Sequence, residues 1–470
     1  MSYERSEGSF HPSITGKMDV ERRLRYQEYM DFYNGRQWQG ASKQRRLVFN
    51  YAKVSIDKLS SYLMQGLTFP CYPCYSLEDS SELKDKVKTA EQVLQQVYVE
   101  NNLQQLDWET EIDTAILGDG CYKVLWDAAR KRIRVVSPDV RGIFAWWVGD
   151  DLSHVWRVAS SYQLSRDEAQ MLYGIRTDSS RCTVVEAWTD KSFDLWVDNN
   201  HLESKPNPYG FIPFVIFPNL RQPKQFWGTS DIPALMEPQR ELNRAVSQLS
   251  RILEVSGNPI AVLENVRSAE DIKVEPGAVW SLPEDAKAYL LDLLQGGGIR
   301  LHIDYIDLVY RCLHDISETP RAAYGGVGKE LSGAALNIEM GSLVQKVMRK
   351  RTIRTSAYHQ RTDMILRLAE RFMHLDFSGI IHRVSWGPIL PADIARLAQN
   401  EQLLVQSGIH SRRTAMDEMG IQDPNAEFQR WLEERAIIRK QNIELPLSST
   451  RGGSITRSYE SGSEEDNLSR

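Results

Sequence analysis

Two segments decide the fold, 228-GTSDIPALMEPQRELNRAVSQLSRILEVSG-257 and 296-GGGIRLHIDYIDLVYRCLHDISE-318. In the first, Leu242, Ala245, Val246, Leu249, Ile252 and Leu253 recur at helical spacing. Pro238 suits an N1 position, where a missing N–H costs nothing, and Gly257 followed by Pro259 closes the run. The spacing predicts a helix over roughly 238–256. The second segment predicts a helix over roughly 299–318 with two apolar stripes. One is Ile299, Ile303, Ile306, Tyr310 and Leu313; beside it runs Leu301, Tyr305, Leu308 and Cys312. A third line, Arg300, Asp304, Asp307, Arg311, Asp315 and Glu318, carries i,i+4 pairs of opposite charge suited to water. A helix with two apolar stripes needs two partners. The 238–256 helix supplies one. The other is a further element of a bundle or a neighbouring copy in a ring, and the pattern alone leaves both open. Between the helices stand two strand candidates, 259-PIAVLENV-266 and 278-AVWSL-282. Two antiparallel helices tipped by a small β element make a stalk, and stalks repeated about an axis make a tube.

Outside this stalk the chain has ordinary globular content. Its 470 residues are 41% hydrophobic and 26% charged, enough for a large core and two to four domains. No apolar run reaches the length of a membrane helix; 143-IFAWWV-148 is strand-sized. The start, MSYERSEGSF, lacks an apolar signal core, which predicts a protein made and kept in a cytoplasm. The net charge of −6 excludes a generally basic nucleic-acid binder, so any DNA contact is local or transient. Five scattered cysteines imply no disulfide framework. The Cys71/Cys74 pair lacks the further ligands that zinc needs, so structural cysteines and no metal site are expected.

Residues 1–16 read as a flexible leader, followed by helices over roughly 18–33 and 50–66, a solvated helix over 79–105 and a helix over 108–117. The period then changes. The stretches 121-CYKVLW-126, 131-RIRVVS-136, 143-IFAWWV-148, 154-HVWRVA-159, 182-CTVVEAWTD-190, 192-SFDLWVD-198 and 210-GFIPFVIFPN-219 read as strands. An α+β class follows. From Ser332 to Leu375 no proline occurs; a continuous helix there would be about 66 Å long at about 1.5 Å per residue. Its middle, 349–361, loses the apolar stripe, which predicts a kink or a break. The string 379-GIIHRVSW-386 reads as a strand, residues 391–440 as all-helical, and the Ser/Gly/Glu-rich end from about 448 to 470 as a disordered tail.

No catalytic constellation stands out. The loop 325-GGVGKE-330 fails as a P-loop, because Ala323 and Glu330 occupy the places of the glycine and the Mg²⁺-binding hydroxyl. Lys346, Arg349, Lys350, Arg351 and Arg354 form the most basic patch. It suits DNA phosphates or acidic groups on a neighbouring subunit; the solvated or inter-subunit reading is favoured. Residues 409–435 mimic a helix-turn-helix, but 391–440 holds seven Lys/Arg against eight Asp/Glu, so helical packing is the better reading.

Six strings in order along the chain resemble the portal proteins, or head-tail connectors, of tailed double-stranded DNA bacteriophages. They are 29-YMDFYNGRQW-38, 50-NYAKVSIDKLSSYLMQG-66, 118-GDGCYKVLWD-127, 228-GTSDIPALMEPQRELNRAVS-247 with Asn243, 319-TPRAAYGGVGKELSGAAL-336 and 408-GIHSRRTAMDEMG-420. Each is weak alone; together they span nearly the whole chain. The resemblance implies a ring, usually of about twelve copies, at one vertex of the capsid. It implies a wing over 1–227 and 332–390, a stem over 228–257 and 296–318, a clip over 258–295, a tunnel loop over 319–331 and a helical crown over 391–447. It further implies no catalysis and no cofactor. The implied partners are double-stranded DNA, the large terminase, capsid and scaffolding proteins and a head-tail adaptor, with no membrane. The implied location is the virion, with the host cytoplasm during assembly. Arg321, Tyr324, Gly325, Gly326, Lys329 and Glu330 become the candidates nearest DNA. The alternatives are a packaging ATPase of the terminase type, which the failed P-loop speaks against, and a DNA-associated scaffold built on helical stalks.

Overall fold

In the computed structural model the described residues are 10–38, 40, 46–73, 81–175, 179–257, 260–264, 285, 287–291, 298–325, 333–390, 394–421 and 424–444. They fall into two units, 1–390 and 391–470.

The first unit opens with α1 (Ser13–Lys17), α2 (Val20–Tyr33) and α3 (Tyr51–Leu63). The leader expectation is corrected for residues 10–16 only, since 1–9 lie outside the described residues. Phe10 is buried against Trp146 and Trp196, and α1 follows it. Helix α3 starts where the Asn50 side chain accepts the Lys53 N–H and stops short of Gly66, whose φ of +67° favours glycine and where a Cβ would meet the Gly387 backbone at 2.6 Å. Next come β1 (Cys71–Pro73), α4 (Ser81–Glu100) and α5 (Leu103–Leu117). Helix α4 is not fully solvated as expected: Ala90, Val93, Leu94 and Val97 bury one face. Cys71 is buried and its thiol is pushed up to about 12 by that burial, in keeping with a structural role; Cys74 lies outside the described residues.

The strands are β2 (Asp119–Asp127), β3 (Arg132–Val136), β4 (Ile143–Val148), β5 (Asp151–Ser165), β6 (Arg181–Trp188), β7 (Ser192–Val197), β8 (Asn200–Pro206) and β9 (Phe214–Pro218), with α6 (Arg166–Tyr173) between β5 and β6. They form two antiparallel sheets, ordered β3-β2-β9 and β4-β5-β6-β7-β8. The sequence reading passed over α6 and β8. Helix α6 is brief and is announced only by its capping box of Ser165 and Glu168. Strand β8 is mostly exposed, so it lacks the apolar alternation that marks a strand.

Helix α7 (Ile232–Gly257) pairs with α8 (Gly298–Ser317), and between them β10 (Ile260–Glu264) pairs antiparallel with β11 (Lys287–Leu291). The stalk is therefore present, with two corrections. Strand β10 pairs with 287–291, whereas the expected strand at 278–282 lies outside the described residues. Helix α7 begins six residues before Pro238, which sits inside it. The start is fixed by Ser230, whose hydroxyl accepts the Ile232 N–H at 3.0 Å and donates to the Ile116 carbonyl. Pro238 leaves the Ala234 carbonyl without its helical donor.

After the stalk come α9 (Gly333–Glu339), α10 (Gly341–Met373) and β12 (Ile380–His382), which pairs with β1. The long helix breaks at Met340, and α10 then runs unbroken through 349–361, where a kink or a break was expected. The apolar stripe fades there because the buried face carries cations instead. Helix α10 lies across β2, β9, α3 and α4 and closes the core around Tyr122, Phe217, Tyr358 and Ile365.

The second unit is helical, with α11 (Ile394–Gln406), α12 (Arg412–Glu418) and α13 (Pro424–Glu444). Ser411 caps α12 by accepting the Thr414 N–H, and Gly420 follows its end at φ +78°. Among the described residues no helix is long and apolar enough to cross a membrane.

Candidate functional site

The paired helices α7 and α8 set the first element of the site. Toward its C-terminal end α8 turns Ile306, Val309, Tyr310 and Leu313 into a core that holds Leu242 and Val246 of α7. Leu313 is fully buried, and the ring centroid of Tyr310 lies 4.9 Å from that of Tyr51. The second stripe does not follow. Leu301 is 72% exposed and Leu308 56%, and Tyr305 and Cys312 are exposed as well. Ile303, assigned to the first stripe, is also 51% exposed, and Ile299 is half-buried. The chain thus covers the C-terminal part of the first stripe, Ile306, Tyr310 and Leu313, and leaves Ile303 and the second stripe open.

The stalk's root is the second element, and here the sequence reading needs its main correction. Of the five cations read as a surface patch, Lys346, Lys350, Arg351 and Arg354 are buried, and only Arg349 faces solvent, paired with Glu318 at 2.6 Å. Lys346, Lys350 and Arg354 recur every four residues, so they share the face of α10 that meets the body. Lys346 Nζ lies 3.0 Å from Asp231 Oδ1 and donates to the Ser317 carbonyl at 2.9 Å. One ammonium therefore joins the residue before α7 to the last turn of α8. Lys350 Nζ donates to Asp231 Oδ2 at 2.5 Å and to Asn219 Oδ1 at 2.7 Å. Arg354 forks onto Glu111 through two bonds of 2.8 Å and also donates to the Pro218 and Asn219 carbonyls. Two turns on, Arg361 is paired with Asp107 and donates to the Tyr98 hydroxyl.

Arg351 points elsewhere. It donates to the Tyr62, Leu63 and Gln65 carbonyls at the end of α3, and to the Gly387 carbonyl. A cation at a helix C-terminus meets the negative end of the backbone dipoles. Burial still lowers its pKa, to about 10.

Burial alone would raise the Asp231 carboxyl, but the two ammonium groups hold it well below its ordinary 3.8. The acidic halves of these pairs, Asp231, Glu111 and Asp107, were not picked out from the sequence. One signal was available. From Gly341 to Thr362 the helix carries no Asp or Glu at all, although the chain is acidic overall. A solvated basic helix would carry i,i+4 partners; this one keeps its partners on other elements.

The third element is the segment after α8. His314 is buried, its Nδ1 lies 2.7 Å from the Thr319 carbonyl, and burial lowers its pKa. Ser317 bonds Thr319 through their hydroxyls. Tyr324 donates from its hydroxyl to Ser55 Oγ at 3.0 Å or Thr319 Oγ1 at 3.1 Å. The Arg321 guanidinium lies 5.2 Å from the Tyr310 ring centre and 3.9 Å from Asp307. Arg321 and Tyr324 are therefore tied to their own chain, and Gly325 leaves the turn at φ +81°. Gly326, Lys329 and Glu330 lie outside the described residues.

These contacts tie α7, α8 and α10 together at the stalk's root. Among the described residues no three His, Cys, Asp or Glu side chains are grouped to hold a metal ion. A family model described as phage portal protein, SPP1 Gp6-like, matches residues 17–441. Comparison with curated proteins finds no match.

Proposed function

The chain belongs to the SPP1 Gp6-like phage portal protein family, and on that premise we propose that it closes into a ring at one capsid vertex, through which double-stranded DNA is packaged and ejected. The family is a structural one. The observation that carries the ring is the exposed stripe of Leu301, Tyr305, Leu308 and Cys312 on a helix whose other stripe is packed from Ile306 to Leu313. A second copy covers such a stripe, and when the contact is head-to-tail the rotation closes a ring.

In this reading α7 and α8 are the stem, β10 and β11 belong to the clip over 258–295, and 1–227 with 332–390 form the wing. The helical unit from 391 to 447 is the crown, and the boundary between the two units at 390/391 agrees with its start. The segment 319–331 is the tunnel loop, with Arg321, Tyr324, Gly325, Gly326, Lys329 and Glu330 nearest DNA. A net acidic chain suits a conduit, because each neutralised phosphate adds affinity through counterion release and a ring of basic chains would hold the duplex. The ring also offers docking surfaces for the large terminase, for capsid and scaffolding proteins and for a head-tail adaptor. It assembles in the host cytoplasm and ends in the virion.

Deleting 322–331 tests the loop assignment. Rings seen by negative-stain microscopy with heads that fail to fill with DNA are expected; loss of the rings would show that the segment serves assembly.

A further inference from the structure

We propose that the helical second unit carries a phosphate-binding platform, made by Arg412, Arg413 and Arg435 on the rings of Phe428 and Trp431, and that it engages the backbone of double-stranded DNA. The Arg412 guanidinium carbon lies 4.3 Å from the Trp431 ring centre and that of Arg435 lies 5.0 Å from it. Arg413 lies 4.7 Å from the centre of Phe428, and the two rings stack with centroids 5.5 Å apart. All three arginines are exposed, and the two rings are half-buried beneath them.

Stacking uses the flat face of a guanidinium and leaves its N–H edge free. Each guanidinium sits at a ring while its residue stays exposed, and a face-on seat would keep several donors for phosphate oxygens. Among the described residues none of the three has a carboxylate within ion-pair distance, whereas Arg430 on the same helix is paired with Glu427 at 3.0 Å. Helical spacing explains the difference. At about 100° per residue, Phe428, Trp431, Leu432, Arg435 and Arg439 share one face of α13, and Glu427, Glu433 and Glu434 fall outside it.

The near-neutral balance of 391–440 argues against a helix reading bases in a groove, not against three oriented donors on phosphates. Naming DNA as the polyanion rests on the proposed function.

The test is fluorescence anisotropy of full-length protein with a 30-base-pair duplex across a salt series. It compares wild type with R412Q/R413Q/R435Q, with R412K/R413K/R435K and with R430Q. Three lost phosphate contacts flatten the log–log salt slope by about 2.7 per engaged chain and weaken binding roughly 10- to 100-fold at low salt. The lysine variant, which keeps charge but loses the stacked fork, is expected to retain most of the slope, and R430Q to behave as wild type. Equal affinity and slope in wild type and the glutamine variant overturn the platform. Unchanged DNA binding with lost binding to poly-glutamate overturns it in favour of an acidic protein partner. Wild type that binds no duplex at low salt while still forming rings overturns the platform alone, since a conduit need not hold DNA; wild type that forms no rings counts against the proposed function instead.

Discussion

Asp231 shows how much of this molecule rests on single buried groups. Its carboxylate meets two lysines inside the body, and removing it would leave both ammonium groups without their counter-charge. Loss of one member of a buried ion cluster costs about 3–5 kcal/mol. D231A is accordingly expected to lower unfolding stability by that amount in urea titrations at matched protein concentration. The sign with pH follows from its depressed pKa. The stabilisation is complete above the ordinary value of 3.8 and fades as pH falls below it, so the gap between wild type and variant is widest near neutrality and closes in acid. A gap that widens on acidification would contradict the assignment. At this scale the sequence was least legible. Lys346, Lys350, Arg351 and Arg354 stood out as charges, but Asp231, Glu111 and Asn219 are far away along the chain, and only the fold brings them together.

Elements were far easier to read than their ends. The two stripes of α8 follow from helical period alone, and the structure packs the first from Ile306 to Leu313 while leaving the second exposed. L301D/L308D is therefore expected to leave the folded chain's melting temperature within about 2 °C while abolishing rings, as read by circular dichroism and by light scattering, since exposed substitutions away from packed features cost little. Unfolding of the variant would show that these leucines serve the chain's own core. Helix α10 reads as long and proline-free, correctly, and the break allowed for at 349–361 does not occur. A fading apolar stripe signals a break only when the polar residues face water; here they face buried carboxylates and carbonyls. Pro238 reads as a first-turn proline, which hides the early start of α7. Pro233 lies in the first turn instead, and the helix tolerates the second proline one turn and a half later.

The molecule as a whole was legible in outline. The α+β class, the stalk with its β tip and the helical segment after 390 could all be read from periodicity and from glycine and proline positions. The family was carried by six short strings whose order, rather than any one of them, is specific, and the match over 17–441 covers all six. What stayed hidden is what one chain cannot encode locally: which apolar stripe belongs to the core and which to another molecule.

The most direct measurement is therefore the mass of purified full-length protein, by light scattering with electron micrographs of the same sample. The account predicts closed rings of about twelve chains, each chain of 53.9 kDa. A single species at 53.9 kDa, with no rings in the micrographs at any concentration, would contradict it.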